Sequence, residues 1–286
     1  MIASMASFAL MNTIIRLLSF ELHSTQMVFM RNVISLLLIM ALSAWMQRGV
    51  PRFTTQKFSG HFWRGTLGCL AMELWFHSVT LMPLTLATAI SFITPVFSTI
   101  IAIFFLGEKA GIRRWSAILA GFVGMLVILR PDVGGISPDA FFVLGSSLLI
   151  GVAGVVVKSL TRTESPETIV FYMALIMTVW SFFPALMFWQ PITLPQLWLA
   201  FWIAVFSTGA HLMLARAYMR ADIVVLMPLD FTRLVFTAIL AYLFFGELLD
   251  TQTLIGSAII VASTVYIAHR EAALKRQTKV LSLDAS

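Results

Sequence analysis

Glu73 and His77 stand four apart in one long apolar run, and Asp230 and Arg233 stand three apart in another. On a helix either spacing puts the pair on one face. A carboxylate beside an imidazole can hold a substrate ammonium, carry a coupling proton, or simply satisfy its neighbour. A carboxylate beside a guanidinium can grip a substrate from both ends or close a structural ion pair. Ionisable groups in apolar segments cost several kcal/mol unless paired or hydrated, so each is a functional candidate by position. Asn12 and Arg16 line up with Phe8 and Ser19 as a weakly polar stripe, and His211 and Arg216, with Tyr218, extend the set. Trp75 and Phe92 supply rings for stacking or for packing. Arg16 and Arg31 lie near the ends of their runs and are expected to snorkel outward.

The elements that carry these residues are membrane spans. The chain has 286 residues, of which 59% are hydrophobic and 11% charged, and its mean hydropathy is +0.94. Soluble domains carry about twice that share of charge. Runs of spanning length recur along the whole chain, which a cleaved leader does not explain. They lie near 2–20, 24–46, 62–81, 84–106, 113–130, 138–160, 167–189, 196–218, 222–245 and 252–270. Ser137-Pro138-Asp139 and Ser165-Pro166-Glu167 each offer a capping hydroxyl, a proline for the first helical position and an early carboxylate. Counting about 1.5 Å per residue from Phe62 puts Glu73 about 16 Å deep, near the midplane, and Arg233 reaches a similar depth counted from Asp222.

With the N-terminus in the cytoplasm, fourteen of the nineteen basic residues fall on the cytoplasmic side and only Arg130 on the other. That asymmetry places both termini inside. Trp45, Trp63, Trp115, Trp189 and Trp198 sit near span ends as interfacial anchors do. The net charge of +6 is explained by loops facing anionic lipid, so no nucleic-acid partner is expected.

Gly107-Glu108 and Gly246-Glu247 each follow an apolar span, 139 positions apart. The same shift lays the fourth and fifth spans on the ninth and tenth. Five spans per copy is odd, so the second copy enters the membrane inverted, as in secondary transporters whose site lies near the midplane between repeats. The shift also sets Ser91 against Asp230 and Thr94 against Arg233, so the second half carries charges where the first has small polar groups. The expected fold is therefore all-α integral membrane, with ten transmembrane helices in two inverted five-helix repeats (1–132 and 133–271) and a polar cytoplasmic tail (272–286). Gly121, Gly124, Gly151 and Gly154 are expected at close helix contacts.

The stretches TPVFSTIIAIFFLGE (Thr94 to Glu108), DFTRLVFTAILAYLFFGE (Asp230 to Glu247) and VFMRN (Val28 to Asn32) resemble the EamA-type, ten-helix members of the drug/metabolite transporter superfamily. The resemblance spans almost the whole chain and points to YddG-type aromatic amino-acid exporters as a neighbouring branch. It implies alternating access around a central cavity lined mainly by spans 1, 3, 4, 6, 8 and 9. It also implies traffic of small metabolites across a plasma membrane, the inner membrane in a bacterium.

The function expected is secondary transport, with export of amino acids, aromatic or apolar ones included, as the first reading. Uptake of another metabolite, such as a nucleoside-like methyl donor, is the alternative. An intramembrane enzyme built on Glu73 and His77, or a channel, represents a different class. The candidate substrate contacts are Asn12, Arg16, Glu73, His77, Ser91, Phe92, His211, Asp230 and Arg233. No phosphate loop, HExxH or GxSxG pattern occurs, and Cys69 is the sole cysteine. Neither enzyme activity, cofactor nor metal is expected. The partners expected are the lipid bilayer, a small-molecule substrate and a coupling proton, with the protein acting as a monomer.

Overall fold

The computed structural model describes residues 1–47, 53–105, 112–129, 137–220, 226 and 229–284. The helices are α1 (Ile2–Leu18), α2 (Ser24–Gln47), α3 (Phe58–Leu81), α4 (Leu84–Ser91), α5 (Thr94–Phe105), α6 (Ile112–Leu129), α7 (Pro138–Leu160), α8 (Pro166–Met187), α9 (Leu194–Arg220), α10 (Thr232–Phe245) and α11 (Thr251–Asp284). No strand occurs among the described residues.

Local chemistry sets several boundaries. At α8 the Ser165 hydroxyl accepts from the Thr168 amide at 3.1 Å, with Pro166 and Glu167 in the first turn. At α7, Pro138 and Asp139 are placed in the same way, but the Ser137 hydroxyl makes no capping bond. Helix α10 ends at Gly246, whose φ of 66° is the left-handed conformation that glycine adopts without a Cβ penalty. The Gly246 and Glu247 amides then turn back to the Tyr242 and Ala241 carbonyls. Helix α11 does not stop near 270 but continues through Asp284, since the stretch from Glu271 onward is rich in helix formers and lacks glycine and proline.

The fourth span is not one helix. It breaks at Phe92 and Ile93 into α4 and α5, because Pro95 has no amide to continue the ladder. The Ser91 carbonyl instead accepts the Thr94 hydroxyl at 2.7 Å. The ninth span breaks at Phe231, which is 139 positions beyond Phe92, and there the Leu229 carbonyl accepts the Thr232 hydroxyl at 2.7 Å.

Four helical stretches are long and apolar enough to cross a membrane by length and composition: Ser24–Met46, Pro138–Leu160, Pro166–Met187 and Leu194–Arg220. Five shorter apolar stretches accompany them: Ile2–Leu18, Leu84–Ser98, Trp115–Leu129, Thr232–Phe245 and Thr251–Tyr266. Helix α3 is in neither group, diluted by His61, Arg64, Glu73 and His77. Large apolar side chains cover the outside, with Phe183 68% and Met187 79% exposed, which water would penalise and lipid accommodates. Trp45, Trp63, Trp115, Trp189 and Trp198 are all exposed near helix ends, where anchors belong.

Helix α1 packs on α9 and α10, α7 on α3, α4 and α5, α2 on α8 and α9, α3 on α8, and α6 on α11. The α6–α11 contact depends on small residues: a Cβ added at Gly124 would lie 2.8 Å from the Gly256 carbonyl oxygen, and one at Gly256 would lie 2.6 Å from that of Gly124. Gly121 and Gly151 are similarly crowded, by Val96 and by Ser98, whereas nothing lies within 4 Å of a Cβ at Gly154.

Candidate functional site

The two breaks meet inside the bundle. Phe92 and Phe231 pack edge to face, with centroids 5.1 Å apart and planes at 78°. Arg233, in the first turn of α10, reaches across and donates from Nη2 to Ser91 Oγ at 3.1 Å. Its guanidinium carbon lies 5.7 Å from the centroid of the Phe92 ring, a cation–π contact. Ser91 Oγ is in turn oriented by donating to the Thr88 carbonyl at 2.7 Å. Arg233 Nε is buried and has no partner.

The expected ion pair between Asp230 and Arg233 is not formed. Three positions bring side chains together only along an unbroken helix, and the turn at Phe231 falls between these two. Asp230 instead lies near Tyr218. Glu73 and Arg233, though of similar predicted depth, are not joined: Glu73 Oε1 is buried without a hydrogen-bond partner. Nor do Glu73 and His77 satisfy each other, since the His77 ring packs edge-on against Phe142, with centroids 4.7 Å apart.

On the neighbouring face, Trp75 donates from Nε1 to Asn12 Oδ1 at 3.0 Å, with both residues buried. That bond ties α1 to α3 and uses Trp75 for packing. Arg16 donates to the Val79 carbonyl and lies over the Phe20 ring at 5.3 Å. Its Nε is buried and unpartnered, so it is fastened between α1 and α3 and does not reach outward alone. His211 packs edge-on against Phe8 at 5.1 Å, the arrangement of a packing histidine.

Three sequence readings change. Arg31 does not snorkel: it is 0% exposed and donates to Asn32, Ser207 and the Met177 sulfur. Depth along α2 does not reveal which way the side chain faces, and this one turns into the bundle. Arg216 is not an interior ligand; it pairs with Glu167 at 2.7 Å with 43% of its side chain exposed. Arg64, one of the fourteen basic residues counted on the cytoplasmic side, folds inward with Nη2 3.3 Å from the Met173 sulfur. Arg31 was marked in sequence by its charge within an apolar run, and Asn32 only by the VFMRN segment.

Of the two Gly-Glu copies, Glu108 lies outside the described residues. In the other copy, Glu247 accepts from the Thr85 amide at 3.2 Å and from its hydroxyl at 3.3 Å. A carboxylate on the first turn of α4 satisfies an amide the helix leaves open and complements its dipole. The motif is structural here: the glycine ends α10 and the glutamate caps α4.

Broken helices meeting in an apolar bundle beside a buried guanidinium are an arrangement found in many membrane transporters. The chain belongs to the EamA-like transporter family, whose model matches residues 1–130 and 138–268. It is a multi-pass membrane protein. It is similar to the S-adenosylmethionine uptake transporter of Rickettsia bellii (strain RML369-C), 29% identical over 268 residues that cover 94% of this chain and 91% of that one. It is also similar to the riboflavin transporter of Vibrio cholerae serotype O1, 28% identical over 284 residues, covering 98% and 95%. A third relative, the pseudopaline exporter CntI of Pseudomonas aeruginosa (strain UCBPP-PA14), is 27% identical over 274 residues, covering 92% of each chain.

Proposed function

We propose that this protein is a secondary transporter that takes up a nucleoside-like metabolite bearing an amino-acid group, of the S-adenosylmethionine class. The observation that carries the proposal is the composition of the interior. An unpartnered carboxylate, Glu73, shares the bundle with a guanidinium, Arg233, that has a free Nε and rests on an aromatic pair. A cationic centre on the substrate would be held by Glu73, its carboxylate by Arg233, and its heterocycle by Phe92 and Phe231. Ser91 positions the Arg233 fork, and Asn12, Arg16, His77, His211 and Asp230 line the rest of the proposed site. The names of the S-adenosylmethionine and riboflavin relatives support a ring-bearing metabolite. Export of amino acids, the first expectation from sequence, has no counterpart among the three relatives, so the uptake alternative takes its place.

The topology proposed is ten spans in two inverted halves with both termini cytoplasmic. It is supported by the packing scheme. Matching α1 with α7, α2 with α8, α3 with α9, α4 and α5 with α10, and α6 with α11 turns each principal packing pair into another that is also present. Thus α1 on α9 becomes α7 on α3, and α2 on α9 becomes α8 on α3. The pairs α2–α8 and α6–α11 map onto themselves. Breaks at Phe92 and Phe231 and family matches of near-equal length agree with it. Alternating access then exchanges the two halves around the fixed site. Polar spacing alone gives no channel ring.

Isothermal titration of the purified protein in nanodiscs with S-adenosylmethionine, riboflavin, adenosine, methionine and phenylalanine tests the substrate class. Binding of S-adenosylmethionine at least about tenfold tighter than methionine or phenylalanine is expected. Equal or tighter binding of phenylalanine would restore the amino-acid reading.

A further inference from the structure

Arg31 and Arg64 form a second concentration of interior charge, on α2 and α3. Arg31 is fully buried on α2, and its Nε has no partner. Its other nitrogens donate to Asn32 Oδ1, Ser207 Oγ and, at 3.9 Å, Met177 Sδ. Arg64, one element away on α3, also has a buried Nε without a partner, and its Nη2 lies 3.3 Å from Met173 Sδ. Met177 connects the two: its methyl carbon and Arg64 Nη1 both close on the point where a Cβ of Gly68 would stand, the methyl at 2.6 Å. Gly68 thus leaves the room in which the Arg64 guanidinium is folded. Both lie near His211, and Arg64 lies near Tyr218, which in turn lies near Asp230.

No carboxylate among the described residues is hydrogen-bonded to either cation. Helices α2, α3, α8 and α9 surround them and carry only two acidic residues, Glu73 and Glu167. Glu167 is taken by Arg216, and Glu73 bonds to neither arginine. Thioethers are weak acceptors, poor substitutes for the carboxylate or phosphate oxygens that match a guanidinium fork. Two buried guanidiniums on sulfur and hydroxyl groups, each with an open N–H, carry a desolvation cost that an anionic guest would offset.

We propose that Arg31 and Arg64 form an anion subsite between α2, α3, α8 and α9 that takes a small oxyanion, a carboxylate or an inorganic phosphate. Asn32 and Ser207 hold the Arg31 fork in place, and Gly68 admits that of Arg64. The proposal stands apart from the substrate class assigned above, because it uses none of Glu73, Phe92, Phe231 or Arg233.

The test is thermal unfolding of the full-length protein in nanodiscs, titrated with sodium phosphate and sodium acetate against sodium chloride at matched ionic strength. A saturable rise of the midpoint with phosphate or acetate is expected. In Arg64→Gln its half-saturation should move at least about tenfold higher, with Arg64→Lys between the two. Arg64 is the better position because its contact is to Met173, so replacing it leaves the Asn32 and Ser207 bonds of Arg31 in place. If saturating S-adenosylmethionine removes the phosphate response, the subsite receives a group of the transported molecule. If the two responses add, it receives a free ion. A response that does not saturate, or one that Arg64→Gln leaves unchanged while the variant elutes as folded protein, would overturn the subsite.

Discussion

Replacing Arg233 with glutamine separates a substrate contact from a structural charge. Removing one member of a buried ion pair orphans the other and typically costs about 3–5 kcal/mol. Here nothing charged is orphaned: the guanidinium's contacts are the Ser91 hydroxyl at 3.1 Å and the Phe92 ring at 5.7 Å. Losing one hydrogen bond from a charged donor and one cation–π contact removes about 2 kcal/mol, part of it recovered because the unsatisfied buried Nε disappears as well. The expected thermal cost is therefore small, under about 4 °C for a chain of this size. Transport should respond differently. A guanidinium–carboxylate contact is worth about 1.5–3 kcal/mol, so KM for uptake should rise about 10- to 150-fold. Arg233→Lys keeps the charge but loses the planar fork and should fall between. The assay is uptake of labelled S-adenosylmethionine into proteoliposomes, with unfolding followed in parallel on the same preparations. A large loss of thermal midpoint with KM unchanged would refute the reasoning and make Arg233 a structural residue.

Three further outcomes follow from single contacts. Glu73→Gln keeps the shape of the side chain but removes its charge, and should lower uptake at least about tenfold with little change in midpoint, as measured in the same vesicles. Glu247→Ala strips the cap from α4 and should cost about 1–3 kcal/mol of stability, read as a lower midpoint, with KM nearly unchanged. Gly124→Ala drives a methyl to 2.8 Å from the Gly256 carbonyl oxygen, whereas Gly154→Ala meets nothing within 4 Å. The first should lower the midpoint by a cost of about 1–3 kcal/mol and the second should leave it equal or slightly raised. The reverse order would contradict the α6–α11 packing.

The helices were legible in the sequence because runs of spanning length and entry signals such as Ser165-Pro166-Glu167 are local properties of the chain. The repeated Gly-Glu pair was legible as a marker after each apolar span, and Gly246 and Glu247 form a helix end and a cap. Facing was harder to read. Arg31 lies about 10 Å along α2 from Ser24, a depth compatible with either snorkelling or burial, and only its contacts with α8 and α9 decide for burial. Spacing misled at Asp230 and Arg233 because the rule that pairs i with i+3 assumes an unbroken helix. Pro95 lies three residues after the first break, and Pro228, three residues before Phe231, was the sequence cue for a kink in the ninth span; the 139-residue shift also sets Phe231 against Phe92. The interior arginine pair went unread because Arg64 sits where a positive-inside count claims it for the cytoplasmic edge.

The central claim is that the Glu73–Arg233 interior carries a metabolite of the S-adenosylmethionine class. Counterflow tests it most directly: vesicles preloaded with unlabelled S-adenosylmethionine are given external labelled S-adenosylmethionine, with wild-type protein and Glu73→Gln side by side. A transient overshoot of label with wild-type protein, at least about tenfold smaller with Glu73→Gln and suppressed by excess unlabelled S-adenosylmethionine but not by phenylalanine, is the predicted result. No overshoot with wild-type protein, or one that phenylalanine suppresses equally well, would contradict it.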